Sequence, residues 1–135
     1  PKAGHDVASE ARGTNSISKT ATGTEPASAY GAKYPYNKVM KTEGGHLIEV
    51  DDTPGAERIH VYHKGGSYTE MSNGRKVDKV VGTNYHIVAG SEEVYIDGNV
   101  NIIVTGNVNV KVNGTYTVES SGVMTLKAPK IDLNP

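Results

Sequence analysis

The sequence predicts an all-β fold in which three identical chains intertwine as a triple-stranded β-helix, a triangular prism built from octapeptide repeats and preceded by an extended N-terminal arm. Three observations predict it. The 135 residues include 16 Gly but no Phe or Trp, and Val, Ile and Leu together number only 27, too few for a helical bundle or an ordinary α/β core. Glycine recurs every eight residues in the second half. Apolar and polar residues alternate between those glycines, which is the period of a strand.

The first segment, residues 1–45, is predicted to be an extended linker or arm. It contains only four Val, Ile, Leu or Met residues, and Ser, Thr, Ala and Gly dominate it. Such a composition buries too little apolar surface to offset the conformational entropy lost on ordering. We therefore expect this segment to lie along another surface.

Residues 46–71 are predicted to be a lead-in to the shaft, made of short strands. In the first strand Ile48 and Val50 share one face, and Glu49 and Asp51 share the other. Further strands are expected at 58–62 and 67–71. Pro and Gly at the central positions of a turn preset the backbone angles that the turn needs. A turn of this kind is expected at residues 52–55 (DTPG), and a turn of hairpin type is expected at residues 64–67 (KGGS).

Residues 72–128 are predicted to form the octapeptide-repeat β-helix. Each octad has one glycine at a corner, where the backbone conformation suits a residue without a side chain. Val or Ile stands two positions before the glycine in five of the seven octads, and further apolar residues follow at alternate positions. The predicted corners are Gly74, Gly82, Gly90, Gly98, Gly106, Gly114 and Gly122. The predicted trimer core comprises Val80, Val88, Ile96, Val100, Ile102, Val104, Val108, Val110, Val112, Tyr116 and Val118.

The trimer follows from what one octad lacks. An octad is a short strand with one apolar face and two unpaired edges. If three chains intertwine, each octad forms one side of a prism, the apolar faces meet on the axis, and the edges pair with the other chains. A single-chain solenoid with three octads per turn is the geometric alternative, but seven octads would complete barely two turns.

Residues 129–135 are predicted to be a C-terminal tip segment. Pro129 cannot donate a backbone hydrogen bond to a strand ladder, so the shaft is expected to stop there. Ile131 and Leu133 are expected to be exposed apolar residues on a blunt three-fold tip.

Composition and charge exclude several classes of function. No cysteine is present, so disulfides, zinc fingers and thiol nucleophiles are excluded. The 14 basic and 15 acidic residues give no electrostatic footprint for nucleic acid. The longest run of Ile, Val or Leu, residues 102–104, is far too short for a membrane-spanning helix, and no signal peptide is visible. No cofactor is expected.

Histidines and carboxylates are the candidate chemical sites. His60 and His63 lie three residues apart, so on a strand they face opposite sides and are expected to be surface residues without a shared metal. Three copies of an inward His60 or His86, meeting on a trimer axis to bind a metal or an anion, are the alternative. A carboxylate pair could cleave a glycosidic bond, but acids beside a turn are expected to be turn and surface residues, so no catalytic or metal-binding residue is predicted. These acids are Glu43, Glu49, Asp51, Asp52 and Glu57.

The octad pattern, which is Val or Ile, any residue, Gly and five further residues, resembles the C-terminal needle of the central baseplate spike (tail lysozyme) of T-even-type bacteriophages. It is also similar to the needles of type VI secretion spike proteins. The residues before it look like the segment that leads into the shaft of these spikes. They are residues 33–37 (KYPYN), 45–59 (GHLIEVDDTPGAERI) and 63–68 (HKGGSY). The resemblance extends over residues 25–128 and implies a homotrimeric triple-stranded β-helix.

The resemblance implies a structural function, that of a cell-puncturing needle in a contractile phage tail baseplate, driven mechanically through the host outer membrane when the sheath contracts. It implies a location in the virion tail baseplate, contact with the baseplate hub through a missing N-terminal part, and transient contact with the host outer membrane. It also suggests a small tip-capping protein docked on Ile131 and Leu133. The family's lysozyme domain has no counterpart among these residues, so the chain is not expected to be an enzyme.

Two other classes of function compete with the needle. One is a trimeric tail-fibre-like module that binds a cell-surface receptor or a glycan. The other is a single-chain β-solenoid enzyme, but the known hexapeptide and nonapeptide arrays have periods of six and nine.

Overall fold

The structure is a computed structural model that describes residues 25–134. Its regular secondary structure is entirely β, with five strands: β1 Asn37–Lys41, β2 Leu47–Asp51, β3 Arg58–Tyr62, β4 Tyr68–Ser72 and β5 Arg75–Lys79. They form one antiparallel sheet in the order β1-β2-β3-β4-β5, so each strand pairs with its neighbour along the chain. Within residues 25–134, no helix is long and apolar enough to cross a membrane. The predicted all-β class is confirmed.

The register of β2, β3 and β4 places their side chains in three transverse rows on one face of the sheet. The rows are Leu47, Tyr62 and Tyr68; Glu49, His60 and Glu70; and Asp51, Arg58 and Ser72. The first row is the hydrophobic core, and Tyr30, Val39 and Val77 pack against it. The other two rows are mainly charged.

The three strands predicted in the lead-in are present. The second spans residues 58–62 as predicted, and the third begins at residue 68, one residue later than predicted. The turns between them also form as predicted. Gly55 has a φ of 79°, and the N–H of Ala56 donates to the carbonyl of Thr53 at 2.9 Å. In the next turn Gly66 has a φ of 104°, and its N–H donates to the carbonyl of His63 at 2.8 Å.

The sheet is longer at both ends than the predicted lead-in. β1 lies within the segment predicted as an arm, and it pairs with β2 along its whole length. β5 lies within the first predicted octad, because Asn73 and Gly74 make a two-residue turn that folds the chain back onto β4. Gly74, with a φ of 72°, is therefore the turn of a hairpin. A strand with little apolar character can form where a tight turn presents it to an existing edge.

The chain before β1 crosses the face that carries the charged rows. Residues 28–30 are half-buried there, with hydrogen bonds from Ser28 and Ala29 to Glu70 in β4. Near the other side of the sheet, the N–H of Lys33 donates to the hydroxyl of Thr53 at 2.9 Å. Residues 28–33 thus lie along a surface, that of the chain's own sheet, whereas residues 1–24 of the predicted arm lie outside the described residues.

The octad residues differ from the sheet. The described residues divide into two units, 25–103 and 104–134. From residue 80 to the end of the first unit, and throughout the second, every residue is exposed and none is in a helix or a strand. No backbone-to-backbone hydrogen bond joins these residues. Bends recur at eight-residue intervals and end on the glycines predicted as corners, at residues 81–82, 89–90, 97–98, 105–106, 113–114 and 121–122.

Candidate functional site

The two faces of the sheet have opposite chemical character, and the polar face is the buried one. Glu49 and Asp51 are 0% and 1% exposed, whereas Ile48 and Val50 are 41% and 43% exposed. The predicted alternation groups these four residues correctly. The expectation that Glu49 and Asp51 are surface residues is wrong, because residues 25–36 cover the face on which they lie.

The buried charges form one connected cluster, hereafter the charged cluster, of Glu49, Asp51, Arg58, His60 and Glu70. Arg58 is at its centre. Its Nη1 lies 2.5 Å from Glu49 Oε1 and 3.8 Å from Asp51 Oδ2, and its Nε donates to Glu70 Oε2 at 3.0 Å. The register explains this geometry, because Asp51 is directly opposite Arg58 and the two glutamates are its diagonal neighbours on β2 and β4.

The charged cluster holds three carboxyl groups and one guanidinium, and the guanidinium of Arg75 lies 3.9 Å from Glu70. Burial raises the pKa of Glu49 above its ordinary value of 4.5, and the attraction of Arg58 opposes that shift without cancelling it. His60 places Nδ1 2.9 Å from Glu70 Oε2. Its ring also stacks beside Tyr68, with centroids 5.2 Å apart. The cluster is thus a hydrogen-bonded part of the interior.

The charged cluster has no access for a substrate. The side chains of Glu49, Arg58, His60 and Glu70 are 0% exposed, so neither glutamate can reach a glycosidic bond in solvent. The remaining acids considered for such a pair, Glu43, Asp52 and Glu57, are exposed as predicted.

The four histidines within residues 25–134 lie in three separate places. His60 was expected at the surface and is instead fully buried, while His63 is exposed in the next loop. His63 packs against His46 with ring centroids 4.6 Å apart and the two rings tilted by 45°. His86 is exposed and lies 2.6 Å from Glu92. Among residues 25–134 no group of three or more His, Cys, Asp or Glu side chains is placed to hold a metal ion.

The opposite face of the sheet, hereafter the apolar sheet face, is exposed. Its side chains are 41% to 45% exposed, and they belong to Ile48, Val50, Ile59, Val61 and Met71. Single exposed apolar residues are ordinary, but a contiguous apolar surface of this kind is typical of an interaction site. Val61 also lines a groove of about 560 Å³ together with Val80, the first residue of the predicted trimer core.

The residues predicted to form the trimer core are exposed in the single chain. All eleven are between 44% and 82% exposed, with Val88 at the lower limit and Ile102 at the upper. The two predicted docking residues at the tip are also exposed, Ile131 at 48% and Leu133 at 81%. A Cβ atom added at five of the predicted corner glycines would have no neighbouring atom within 4 Å. These glycines are Gly82, Gly90, Gly106, Gly114 and Gly122.

Two features of the site were not predicted from the sequence. The Asn73-Gly74 dipeptide is a signal for a two-residue hairpin turn, and it would have predicted β5. The charged cluster has a weaker signal, because Glu49, Arg58, His60 and Glu70 occupy alternate positions of the predicted strands. Nothing in the alternation indicates that the charged side is covered.

No family model matches this chain. Two phage proteins are similar to part of it. Over 72 residues the chain is 44% identical to protein Gp5 of Vibrio phage KVP40, a match that covers 53% of this chain and 17% of that protein. Over 64 residues it is 48% identical to the pre-baseplate central spike protein Gp5 of Enterobacteria phage T4, covering 47% of this chain and 11% of that protein. The chain thus spans a small part of the length of these relatives. The similarity confirms the predicted resemblance to the central spike of T4-type phages.

Proposed function

We propose that this chain is the needle segment of the central spike in a contractile phage tail. In this proposal three copies wind their octads into a triangular prism, and the prism is pushed through the host outer membrane when the sheath contracts. The two Gp5 relatives confirm the predicted location in the tail baseplate. The trimer and the puncturing action are the proposal.

One observation supports the trimer most directly. Residues 80–134 carry the alternating apolar pattern, yet in a single chain all of them are exposed and no backbone hydrogen bonds join them. Folded proteins pair the backbone groups of extended segments and bury apolar faces. Three interwound copies would meet both requirements, because each extended octad would find a strand partner and an apolar neighbour in another chain.

The apolar sheet face extends this argument to the residues before the octads. It lies on the side of the sheet that residues 25–36 leave uncovered, and its edge at Val61 shares a groove with Val80. A surface that is apolar in both the sheet and the first octads would let copies associate along the whole segment.

The proposed action is mechanical and not enzymatic. The octads alternate their apolar residues with Asn, Thr and Ser, and a shaft that presents those polar residues outward would have no affinity for the hydrocarbon layer of a membrane. The shaft would therefore cross the membrane under force from the sheath. Ile131 and Leu133 would dock a small tip-capping protein, and the baseplate hub would hold the opposite end.

Molar mass in solution tests the assembly. Light scattering should give about 43 kDa for three chains of 14.3 kDa each, and electrophoresis in detergent without heating should show a species that dissociates on boiling. A chain that stays at 14.3 kDa over a wide range of concentration would contradict the proposal.

A deletion in the phage tests the puncturing action. Removing residues 99–122 in frame deletes three octads and shortens the proposed shaft without changing its register. Such particles should adsorb to cells normally but cause less potassium efflux and form fewer plaques. Loss of adsorption would instead indicate binding of a receptor or glycan, and normal infection would show that the length of the octad region is not needed for entry.

A further inference from the structure

Residues 25–36, hereafter the strap, cross the charged face of the sheet from the side of β5 towards β1. Their contacts begin on β5 and β4, continue on β3, and end at the turn between β2 and β3. In sequence order, Glu25 contacts Lys79 and Tyr68, Ala27 contacts Arg75, Ser28 and Ala29 contact Glu70, Tyr30 covers Arg58, and Lys33 contacts Thr53. The strap therefore connects the two edges of the sheet.

The first of these contacts is made by the carboxylate of Glu25. Lys79 Nζ donates to Glu25 Oε2 at 2.8 Å, and the hydroxyl of Tyr68 donates to the other oxygen. Both charged side chains are only 12% exposed, so water screens this pair less than a surface ion pair. The Lys79 ammonium also lies 5.9 Å from the centroid of the Tyr68 ring.

The pair connects residues that are far apart in sequence. Glu25 and Lys79 are separated by 54 positions, and the whole sheet lies between them. Lys79 ends β5, and the next residue, Val80, is the first of the predicted trimer core. The pair thus provides a short path between the chain before residue 25 and the start of the octads.

We propose that the Glu25–Lys79 pair transmits force. A tension on the chain before residue 25 reaches the octads through the Glu25–Lys79 pair and β5, and it bypasses β1 to β3. Without the pair, the same force would pull on the strap and on β1, the strand at the opposite edge, and would remove strands from the sheet one at a time. This role rests on the proposed function as a needle, whereas the fastening of the strap does not.

Hydrogen exchange tests the fastening in the assembled protein. The amide of Ala29 donates to Glu70 on the sheet, and the amide of Tyr30 donates to Ser28 within the strap. The exchange rates of these two amides therefore report opening of the strap. Glu25→Gln and Lys79→Gln should each accelerate exchange at these amides about tenfold. The double variant should be no faster than either single one, because both changes remove the same interaction. The reversed pair, Glu25→Lys with Lys79→Glu, should restore slow exchange.

A matched control lies on the same strand. Lys76 pairs with Asp78 at 3.2 Å, but both side chains are more than half exposed, so Lys76→Gln should leave exchange at Ala29 and Tyr30 unchanged. Unchanged rates in both Glu25→Gln and Lys79→Gln, or additive effects in the double variant, would overturn the fastening.

Pulling on a single chain tests the role in force transmission. The chain has no cysteine, so a Thr83→Cys variant accepts one handle and the N-terminal end accepts the other. With the pair intact, the sheet should open in one step at high force. The step should release about 180 Å, the length of the residues between Glu25 and Lys79 when extended. In Glu25→Gln the same length should be released in several steps that begin at lower force.

An unchanged force and a single step in Glu25→Gln would overturn the force-transmitting role. The two proposals fail separately in these experiments. A monomeric mass, together with exchange effects of Glu25→Gln and Lys79→Gln that do not add, would contradict the needle and support the fastening. A trimeric mass, together with additive effects, would support the needle and overturn the fastening.

Discussion

Arg58 is the residue on which the buried polar face depends. It is the one permanently charged cation in the charged cluster, and its guanidinium contacts carboxyl groups on both neighbouring strands. A buried ion pair contributes little net stability compared with apolar residues of the same size, but removing one partner leaves a charge buried without compensation. The cost of losing Arg58 is therefore larger than its contacts suggest.

We expect Arg58→Met to lower the free energy of unfolding by about 3–5 kcal/mol, because the buried carboxyl groups of Glu49 and Asp51 would lose their guanidinium partner. Denaturant titration followed by circular dichroism measures the change. The exposed Lys76→Met on β5 is the control and should change the free energy by less than about 0.5 kcal/mol. Equal effects of the two substitutions would show that the charged cluster does not stabilise the sheet.

Glu49 should make the stability of the sheet depend on pH. Burial raises its pKa in the folded chain above the ordinary value of 4.5, so the folded state holds this proton more tightly than the unfolded state. The stabilising effect of that proton is complete below the unfolded pKa and is lost as pH rises through the folded pKa. Melting temperatures measured upward from pH 4.5 should show this contribution fall.

The matched variant for that experiment is Glu49→Gln, which keeps the shape of the side chain and cannot ionise. We expect its stability to vary less with pH over the same window than that of the unchanged chain, so that the difference between the two grows as pH rises. Parallel pH profiles would mean that Glu49 does not titrate differently in the folded and unfolded states.

At the scale of the elements, turns determine where the sheet ends. β5 has one apolar residue, Val77, and no alternating pattern that would predict a strand. It forms because the Asn73-Gly74 turn returns the chain to β4, where every residue of β5 finds a partner. In the next octads the bends at Gly82 and Gly90 do not return the chain to a neighbouring strand, so no further hairpin follows.

Gly74→Ala should destabilise the β4–β5 hairpin by about 1 kcal/mol, because a φ of 72° brings the side chain of an L residue close to its own carbonyl. Thermal unfolding and hydrogen exchange at β5 amides are the measurements. Gly44→Ala is the control, since its φ is not in the left-handed region and an added Cβ would meet its nearest atom at 3.8 Å. A loss at Gly44 as large as that at Gly74 would contradict the conformational explanation.

At the scale of the whole molecule, the described residues have two exposed apolar surfaces and one charged face that is covered. The charged face is covered by the strap of the same chain. The apolar sheet face and the alternating apolar residues of the octads are exposed. Assembly of copies through the two apolar surfaces would leave the charged face covered by the strap.

Charge introduced at the predicted core positions should prevent assembly. Val104→Asp and Val112→Asp would each bring three carboxylates together near the proposed axis, where burial disfavours ionised groups. Light scattering should then report a single chain or a loose aggregate. Asn107→Asp adds the same charge beside the predicted core residue Val108, on the opposite face of the strand, and should keep the trimeric mass. Loss of the trimer in all three variants would show that the inward and outward assignment is wrong.

The sequence predicted much of this fold because turns and strand period are local properties. The turn at residues 52–55 needs only Pro and Gly at adjacent positions, and β2 and β3 need only alternation. The position of His60 could not be predicted in the same way. Its burial depends on Glu70, ten residues later in the sequence, and on the strap, whose Ala29 lies more than thirty residues earlier.

The sequence by itself determined the β class, the eight-residue recurrence of bends, and which side chains share a face of each strand. Only the tertiary structure decided that the polar face of the sheet is the inner one. The reason is that a strand period of two divides residues into two sets without stating which set is covered. Covering depends on contacts between distant parts of the chain, here the strap over Arg58 and Glu70 and the fastening of Glu25 to Lys79.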